Sequence, residues 1–297
     1  MRRGVRGLIN VKNLYHSYNK DDKYALKDVS FEVKEGEVFG CLGPSGAGKS
    51  TIMGILTGLL QLQQGEVSVV GYNVKKIKSK MFNDIGVSFE QSNVYSKMTA
   101  KENLDFYGKL FDVETADSKA LLEMVGLGDK ADVKAGEFSK GMKHRLTFIR
   151  SMINHPKMWF LDEPTTGLDP AIAADIKDII KEQQRKGVTV FLTTHNMYIA
   201  DELCDRVAFI VDGEIRLIDS PKNLKLKYGE KLVDVEYRAD GETFKEKLST
   251  TEKKDKQRLV EIVENHEIVT MHTKEATLEE IFIKVTGKGL SHDEAVS

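Results

Sequence analysis

The sequence predicts an α/β fold, an open sheet with its chemistry at the strand ends, and three stretches predict it. Residues 38–42 are a short apolar strand that runs into Gly43-Pro44-Ser45-Gly46-Ala47-Gly48-Lys49-Ser50-Thr51. That spacing fits G-x-x-x-x-G-K-[ST], between a strand and a helix. Met158-Trp159-Phe160-Leu161 is a second apolar run, and it ends on adjacent carboxylates, Asp162 and Glu163. Residues 188–194 are a third, ending in Thr193-Thr194-His195. Open α/β sheets hold ligands at the carboxyl ends of their strands. Alone, the acidic pair reads as a strand followed by a solvated turn; the phosphate loop upstream and the strand to His195 downstream overrule that reading.

Taken in order, residues 8–39 read as short strands joined by polar turns. Ile9 and Val11 alternate with polar residues, as do Val29, Phe31 and Val33, with a turn at Lys34-Glu35-Gly36-Glu37. The polar loop between these strands carries Tyr15, Tyr18 and Tyr24. Each can be an ordinary half-buried tyrosine, or one can offer a flat face to an adenine ring. In the phosphate loop, glycines let backbone N–H groups curl around phosphate oxygens with no Cβ in the way. The helix that follows, with Ile52, Met53, Ile55, Leu56 and Leu59, points its positive end at the same anion. Lys49 is placed to reach β- and γ-phosphates, and Ser50 to ligate Mg²⁺.

Residues 65–70 and 85–89 read as strands, separated by a basic loop or helix end at 75–80. Residues 99–127 read as helical, with Thr99 and Glu102 as a capping box. A turn at Ser139-Lys140-Gly141 precedes a helical run with Leu146, Phe148, Ile149 and Ile153, which His155-Pro156 breaks. After Asp169-Pro170 comes a helix with Ile172, Ile176, Ile179 and Ile180, which Gly187 stops. His195 follows a strand, where a lone histidine is more often structural than chemical. A helix with Ile199 and Leu203 leads to a hairpin across Asp212-Gly213. From about residue 221 the character changes to a small α+β appendage: a strand at 232–237, a turn at Asp240-Gly241, a helix at 252–265, a strand at 268–271 and a helix at 277–285 capped by Thr277 and Glu280.

Composition narrows the function classes. With 297 residues, 40% hydrophobic and 30% charged, the chain suits one or two globular domains. A formal net charge of −2 gives no hint of nucleic acid. The start, MRRGVRG, is basic with no long apolar run after it, so a frayed tail is expected rather than a secretory signal. No stretch approaches the roughly eighteen apolar residues of a membrane helix. If the protein works at a membrane, another chain must cross it. Cys41 and Cys204 lie far apart without metal or C-x-x-C spacing and are expected to be reduced, buried thiols in a cytosolic protein.

These elements, in this order, resemble the nucleotide-binding subunit of an ABC transporter over about residues 8–221. The ending ATLEEIFIKVTGKG is similar to the tail of ATP subunits of bacterial drug, antibiotic and ion exporters. The resemblance implies an α/β P-loop NTPase core with an antiparallel β subdomain and an inserted helical subdomain at about 90–155. A C-terminal α+β appendage at 222–287 and a tail at 288–297 would follow. Gly43 through Thr51, which includes Pro44, Ser45, Gly46, Ala47, Gly48, Lys49 and Ser50, matches Walker A. Residues 158–162 match Walker B, so Asp162 would hold Mg²⁺. Glu163 matches the carboxylate that polarises the attacking water, His195 the switch histidine on the γ-phosphate, and Asp169 the acidic member of the D-loop. Tyr18 best matches the aromatic that stacks on adenine, with Tyr15 the runner-up.

Two motifs depart from the pattern. The signature reads Phe138-Ser139-Lys140-Gly141-Met142; it keeps the phosphate-contacting Ser139 and Gly141 but has Lys140 for a glycine and Met142 for a glutamine. The Q-loop position holds Glu90 where the family has glutamine, with Gln91 next to it, and either could take the metal-sensing role. The cofactors implied are ATP and Mg²⁺. The partners implied are a membrane-spanning permease and a second nucleotide-binding subunit, an identical copy or a paralogue, head to tail, with no nucleic acid. The place implied is the inner face of the cell membrane, reached through the permease. The tail points to export. The alternative is a non-transport ABC ATPase acting on the ribosome or DNA. Chains of that kind generally carry two nucleotide domains or a long coiled coil, and this one has neither.

Overall fold

A computed structural model describes residues 7–18, 24–229, 231–274 and 276–289. Of the frayed ends expected at 1–7 and 288–297, residues 1–6 and 290–297 lie outside the described residues, and Gly7 opens a strand. Contacts divide the chain into two units, one running to Ser220 and one spanning Pro221–Lys288.

The first unit holds two sheets. β1 (Gly7–His16) pairs antiparallel with β2 (Leu26–Lys34). β2 alternates buried and exposed positions, the mark of a sheet with one solvated face. β3 (Val38–Leu42) is buried at all five positions and is paired on both edges, by two strands later in the chain. Its chain turns through the phosphate loop into α1 (Lys49–Leu56). β4 (Gln64–Val69) and β5 (Tyr72–Asn73) complete the antiparallel sheet in the order β2-β1-β4-β5. The basic segment forms a 3₁₀ turn at Val74–Lys76 and the start of α2 (Ser79–Asp84), which leads into β6 (Ile85–Ser88).

The helical stretch expected over 99–127 is interrupted. α3 (Ala100–Gly108) starts at the Thr99–Glu102 capping box. α4 (Ser118–Met124) restarts with the Asp117 carboxylate accepting from the Ala120 N–H at 2.8 Å. Between them the backbone is drawn off the helical path, and the Ala116 N–H bonds Ile153 O at 2.7 Å. The turn expected at 139–141 is likewise a helix start. Ser139 caps α5 (Lys140–Arg150), its hydroxyl accepting from the Met142 N–H at 3.2 Å, so Lys140 and Gly141 are the first helical residues.

β7 (Met158–Asp162), α6 (Pro170–Arg185), β8 (Thr189–Thr194), α7 (Met197–Leu203), β9 (Arg206–Val211) and β10 (Glu214–Asp219) complete the unit. The main sheet has the order β10-β9-β3-β8-β7-β6, and only the β10–β9 pair is antiparallel. The turn joining that pair has Asp212 at φ 53° and Gly213 at φ 77°, both positive as a two-residue hairpin turn of the primed type requires. Phe31, Phe39 and Phe191 stack at 5.5–6.0 Å across the core. Trp159 is fully buried, its indole N–H donating to Ser151 Oγ at 2.7 Å. Cys41 and Cys204 are free and buried; burial pushes the Cys41 thiol up to about 12 and raises that of Cys204 as well.

In the second unit, α8 (Pro221–Tyr228) is followed by the hairpin of β11 (Leu232–Ala239) and β12 (Glu242–Ser249). α9 (Lys253–Asn265) then buries Ile262, β13 (Glu267–Lys274) joins the other edge of β11, and α10 (Leu278–Thr286) ends the unit behind a Thr277–Glu280 capping box. Its small core is Val235, Tyr237, Leu248 and Ile262.

Candidate nucleotide site

The site forms where β3, β7 and β8 end side by side. Strand pairing sets this: Leu42 lies beside Thr194, and Thr193 beside Asp162. The phosphate loop rises from β3. A Cβ on Gly43 would lie 2.2 Å from Ile210 O, and one on Gly48 would lie 2.7 Å from Leu26 Cδ2. Gly48 also has φ 109°. Close packing therefore demands both glycines before any ligand is considered. The Lys49 ammonium is turned onto its own loop, donating to Gly43 O at 2.7 Å and Pro44 O at 3.0 Å.

The carboxylates stand opposite. Asp162 accepts from the Thr193 hydroxyl. Burial raises the pKa of the Asp162 carboxyl, and the nearby Glu163 and Glu90 charges add to that rise, against the Thr193 hydrogen bond and the Lys49 charge. Glu163 is a non-glycine residue at φ 48°, a costly backbone conformation that is over-represented at functional sites. Its N–H bonds Thr193 O at 3.0 Å. Its side chain is held by His195 and by the hydroxyls of Thr194 and Thr166.

Most of these groups line one cavity of about 960 Å³: Tyr18, Ser45, Gly46, Gly48, Lys49, Ser50, Thr51, Glu90, Asp162, Glu163 and His195. Tyr18 is 63% exposed, and its hydroxyl lies 2.9 Å from Thr51 Oγ1. Gly43 and Pro44 stand behind the wall and contribute the carbonyls on Lys49, while Ala47 O accepts from the Gly213 N–H at 3.1 Å. Tyr15 is not on this wall; its ring meets Tyr24 edge-on at 5.6 Å. Gln91 is not on it either. It lines a second cavity of about 540 Å³ with Lys140, Gly141, Thr166 and Gly167, and Glu90 borders both. Ser139 and Asp169 lie on neither wall. A Cβ on Gly141 would meet nothing nearer than Leu168 Cδ2 at 3.8 Å, so this chain alone has room for a side chain there. His144 borders the second cavity too, 6% exposed, with Nδ1 unpartnered; burial first, and then Lys140, lower its pKa.

Sequence reasoning missed several residues of this site. Thr166, Thr193 and Thr194 hold the carboxylates, and Tyr24, Lys27, Asp212 and Gly213 help line the cavity. The Asp212-Gly213 turn was readable from its dipeptide, but its place beside the phosphate loop depends on sheet order. Among the described residues, no group of three or more His, Cys, Asp or Glu is disposed to hold a metal by itself, and no helix is long and apolar enough to cross a membrane.

The ABC transporter family model matches residues 26–166. A fluoroquinolones export ATP-binding protein of Mycobacterium tuberculosis is 46% identical over 289 residues, covering 96% of this chain and 95% of that one. An ABC transporter A family member of Arabidopsis thaliana is 34% identical over 95% of this chain, which spans 34% of that longer protein. Among solved structures, the ATP-binding subunit of an ABC transporter superposes with TM-score 0.68 at 26% identity, covering 75% of this chain and 93% of its own. A dimeric ATP-binding cassette in a post-hydrolysis state with ADP and Pi superposes with TM-score 0.65 at 27% identity, covering 71% and 98%.

Proposed function

This chain belongs to the ABC transporter family, and from that premise we propose that it is the ATP-hydrolysing subunit of an exporter whose membrane-spanning part is a separate chain. The observation that carries the reading is the convergence of Lys49, Asp162, Glu163 and His195 on one cavity, in a chain 46% identical to an export ATP-binding protein. From that relative's name we carry over the direction, export. The cargo is chosen by the membrane chain that touches it.

In this reading ATP lies along the cavity. Tyr18 stacks on adenine, the loop amides from Gly43 to Thr51 take the phosphates, and the Lys49 ammonium leaves its loop carbonyls for the β- and γ-oxygens. Hard oxygen donors, the Ser50 hydroxyl and the Asp162 and Glu90 carboxylates, line the wall and fit a divalent cation that would relieve their crowded charge. Mg²⁺ held there would supply charge neutralisation at the transferring phosphate. Glu90, on the nucleotide cavity, is the better placed of the two Q-loop candidates; Gln91 faces the second cavity.

Glu163 orients a water and takes its proton. The water oxygen bonds to the γ-phosphorus, and the bridging P–O bond breaks with its electron pair leaving on ADP. His195 keeps the γ-phosphate in line. A second nucleotide-binding chain, head to tail, brings its Ser139 and Gly141 to this nucleotide, with Asp169 at the junction. The room around Gly141 suits close approach by another molecule. The chain then works at the inner face of the membrane, held there by its permease. A ribosome- or DNA-directed ATPase is not favoured, and the net charge of −2 gives such partners no electrostatic footing.

The test is recovery of partners. The chain, tagged and purified from detergent-solubilised membranes of its own cells, is expected to bring with it an integral membrane protein of several spans. Recovery only with ribosomes or nucleic acid would contradict the export reading.

A further inference from the structure

Glu163 has no acceptor site left for a water. A carboxylate offers about four lone-pair sites. Oε1 takes the His195 backbone N–H at 3.0 Å and the ring Nδ1 at 2.7 Å. Oε2 takes the Thr194 hydroxyl at 2.9 Å and the Thr166 hydroxyl at 3.1 Å. The base is saturated, so one donor must let go before the carboxylate can receive a proton from water.

Three of the four are poor candidates for release. The backbone N–H of His195 is fixed by the chain. The Nδ1 contact is the shortest of the four at 2.7 Å and belongs to a ring that must keep its place on the cavity wall. Thr194 ends β8 at 1% exposure, and its hydroxyl oxygen also accepts from the Asn196 N–H at 3.0 Å. Thr166 is different. It is exposed, sits in the turn that runs from Glu163 to Asp169, and is followed by Gly167 at φ 71°. It also borders the second cavity, across from Lys140 and Gly141.

We propose that the two threonines on Oε2 have opposite effects. Thr194 is a positioning residue that fixes the Glu163 carboxylate for the reaction. Thr166 restrains the same oxygen in this structure and releases it when its turn is moved by a second chain. Asp169 and Thr166 share that turn, so docking and activation of the base are one event. The inference rests on Glu163 being the group that activates water.

The test is steady-state phosphate release from MgATP by the full chain, with ATP affinity measured on the same samples as a check that each variant is folded. Thr166→Val is expected to raise kcat about threefold or more, most at low protein concentration, with KM within about twofold. Thr194→Val is expected to lower kcat about tenfold or more with KM little changed, and Thr194→Ser to recover most of the rate. A slower Thr166→Val, or a Thr194→Val with wild-type kcat, overturns the inference. If Glu163→Gln is inactive while the threonine variants miss these signs, only this inference falls. If Glu163→Gln keeps the wild-type rate, the reading of the base itself falls.

Discussion

Glu163→Gln is expected to lower the steady-state ATPase rate by about 10²–10⁴-fold while ATP affinity stays within about twofold. The substitution keeps the side-chain volume at a residue 7% exposed. It also keeps an oxygen for His195 to bond, and the new amide can donate to the Thr166 and Thr194 hydroxyls. The loss therefore falls on proton acceptance and not on folding. With turnover stopped, bound ATP should hold two chains together. Size-exclusion chromatography of the variant is expected to give a monomer without nucleotide and a dimer with MgATP. Wild-type turnover by this variant would remove Glu163 as the base.

Lys49→Ala is expected to weaken ATP binding by about a hundredfold or more, read by isothermal titration. Lys49 is the loop's ammonium, 9% exposed, and its only hydrogen-bond acceptors among the described residues are two carbonyls of its own loop. An ammonium tied only to neutral carbonyls has a strong incentive to turn to a triphosphate. Removing it frees Gly43 O, which is buried, and Pro44 O, which is half-buried, beside a cavity roomy enough for water, so a structural cost accompanies the larger loss of charge. Unchanged affinity would remove the phosphate-loop reading.

How much of this was legible in the sequence follows from what each feature depends on. The phosphate loop was readable because its constraints are local: Gly48 must take a left-handed φ, and Lys49 must open a helix. Asp162, Glu163 and His195 were readable as strand ends because buried strands write themselves as apolar runs. Their meeting is a matter of strand order: β8 lies between β7 and β3, and β3 is more than a hundred residues earlier in the chain than either. The threonines were not readable at all. Whether Thr194 or Thr193 reaches Glu163 depends on the turn that positive φ imposes at Glu163, which no pattern of side chains announces. Apolar spacing continues through residues 109–117 and reads as helix, but there the Ala116 hydrogen bond to Ile153 breaks the helix. Nothing in the structure explains why Lys140 stands at the first position of α5.

One nucleotide site is expected to need two chains, with Lys49 and Glu163 from one and Gly141 from the other, and mixing two variants checks this. Lys49→Ala cannot hold ATP but keeps its signature turn; Gly141→Asp puts a charge where the partner's phosphates would lie but keeps its own cavity. Each variant alone is expected to be inactive in phosphate release from MgATP. An equimolar mixture is expected to regain activity, because half-sites from the two variants assemble one intact site. A mixture as inactive as its components, or a Gly141→Asp chain with the wild-type rate, would contradict the claim.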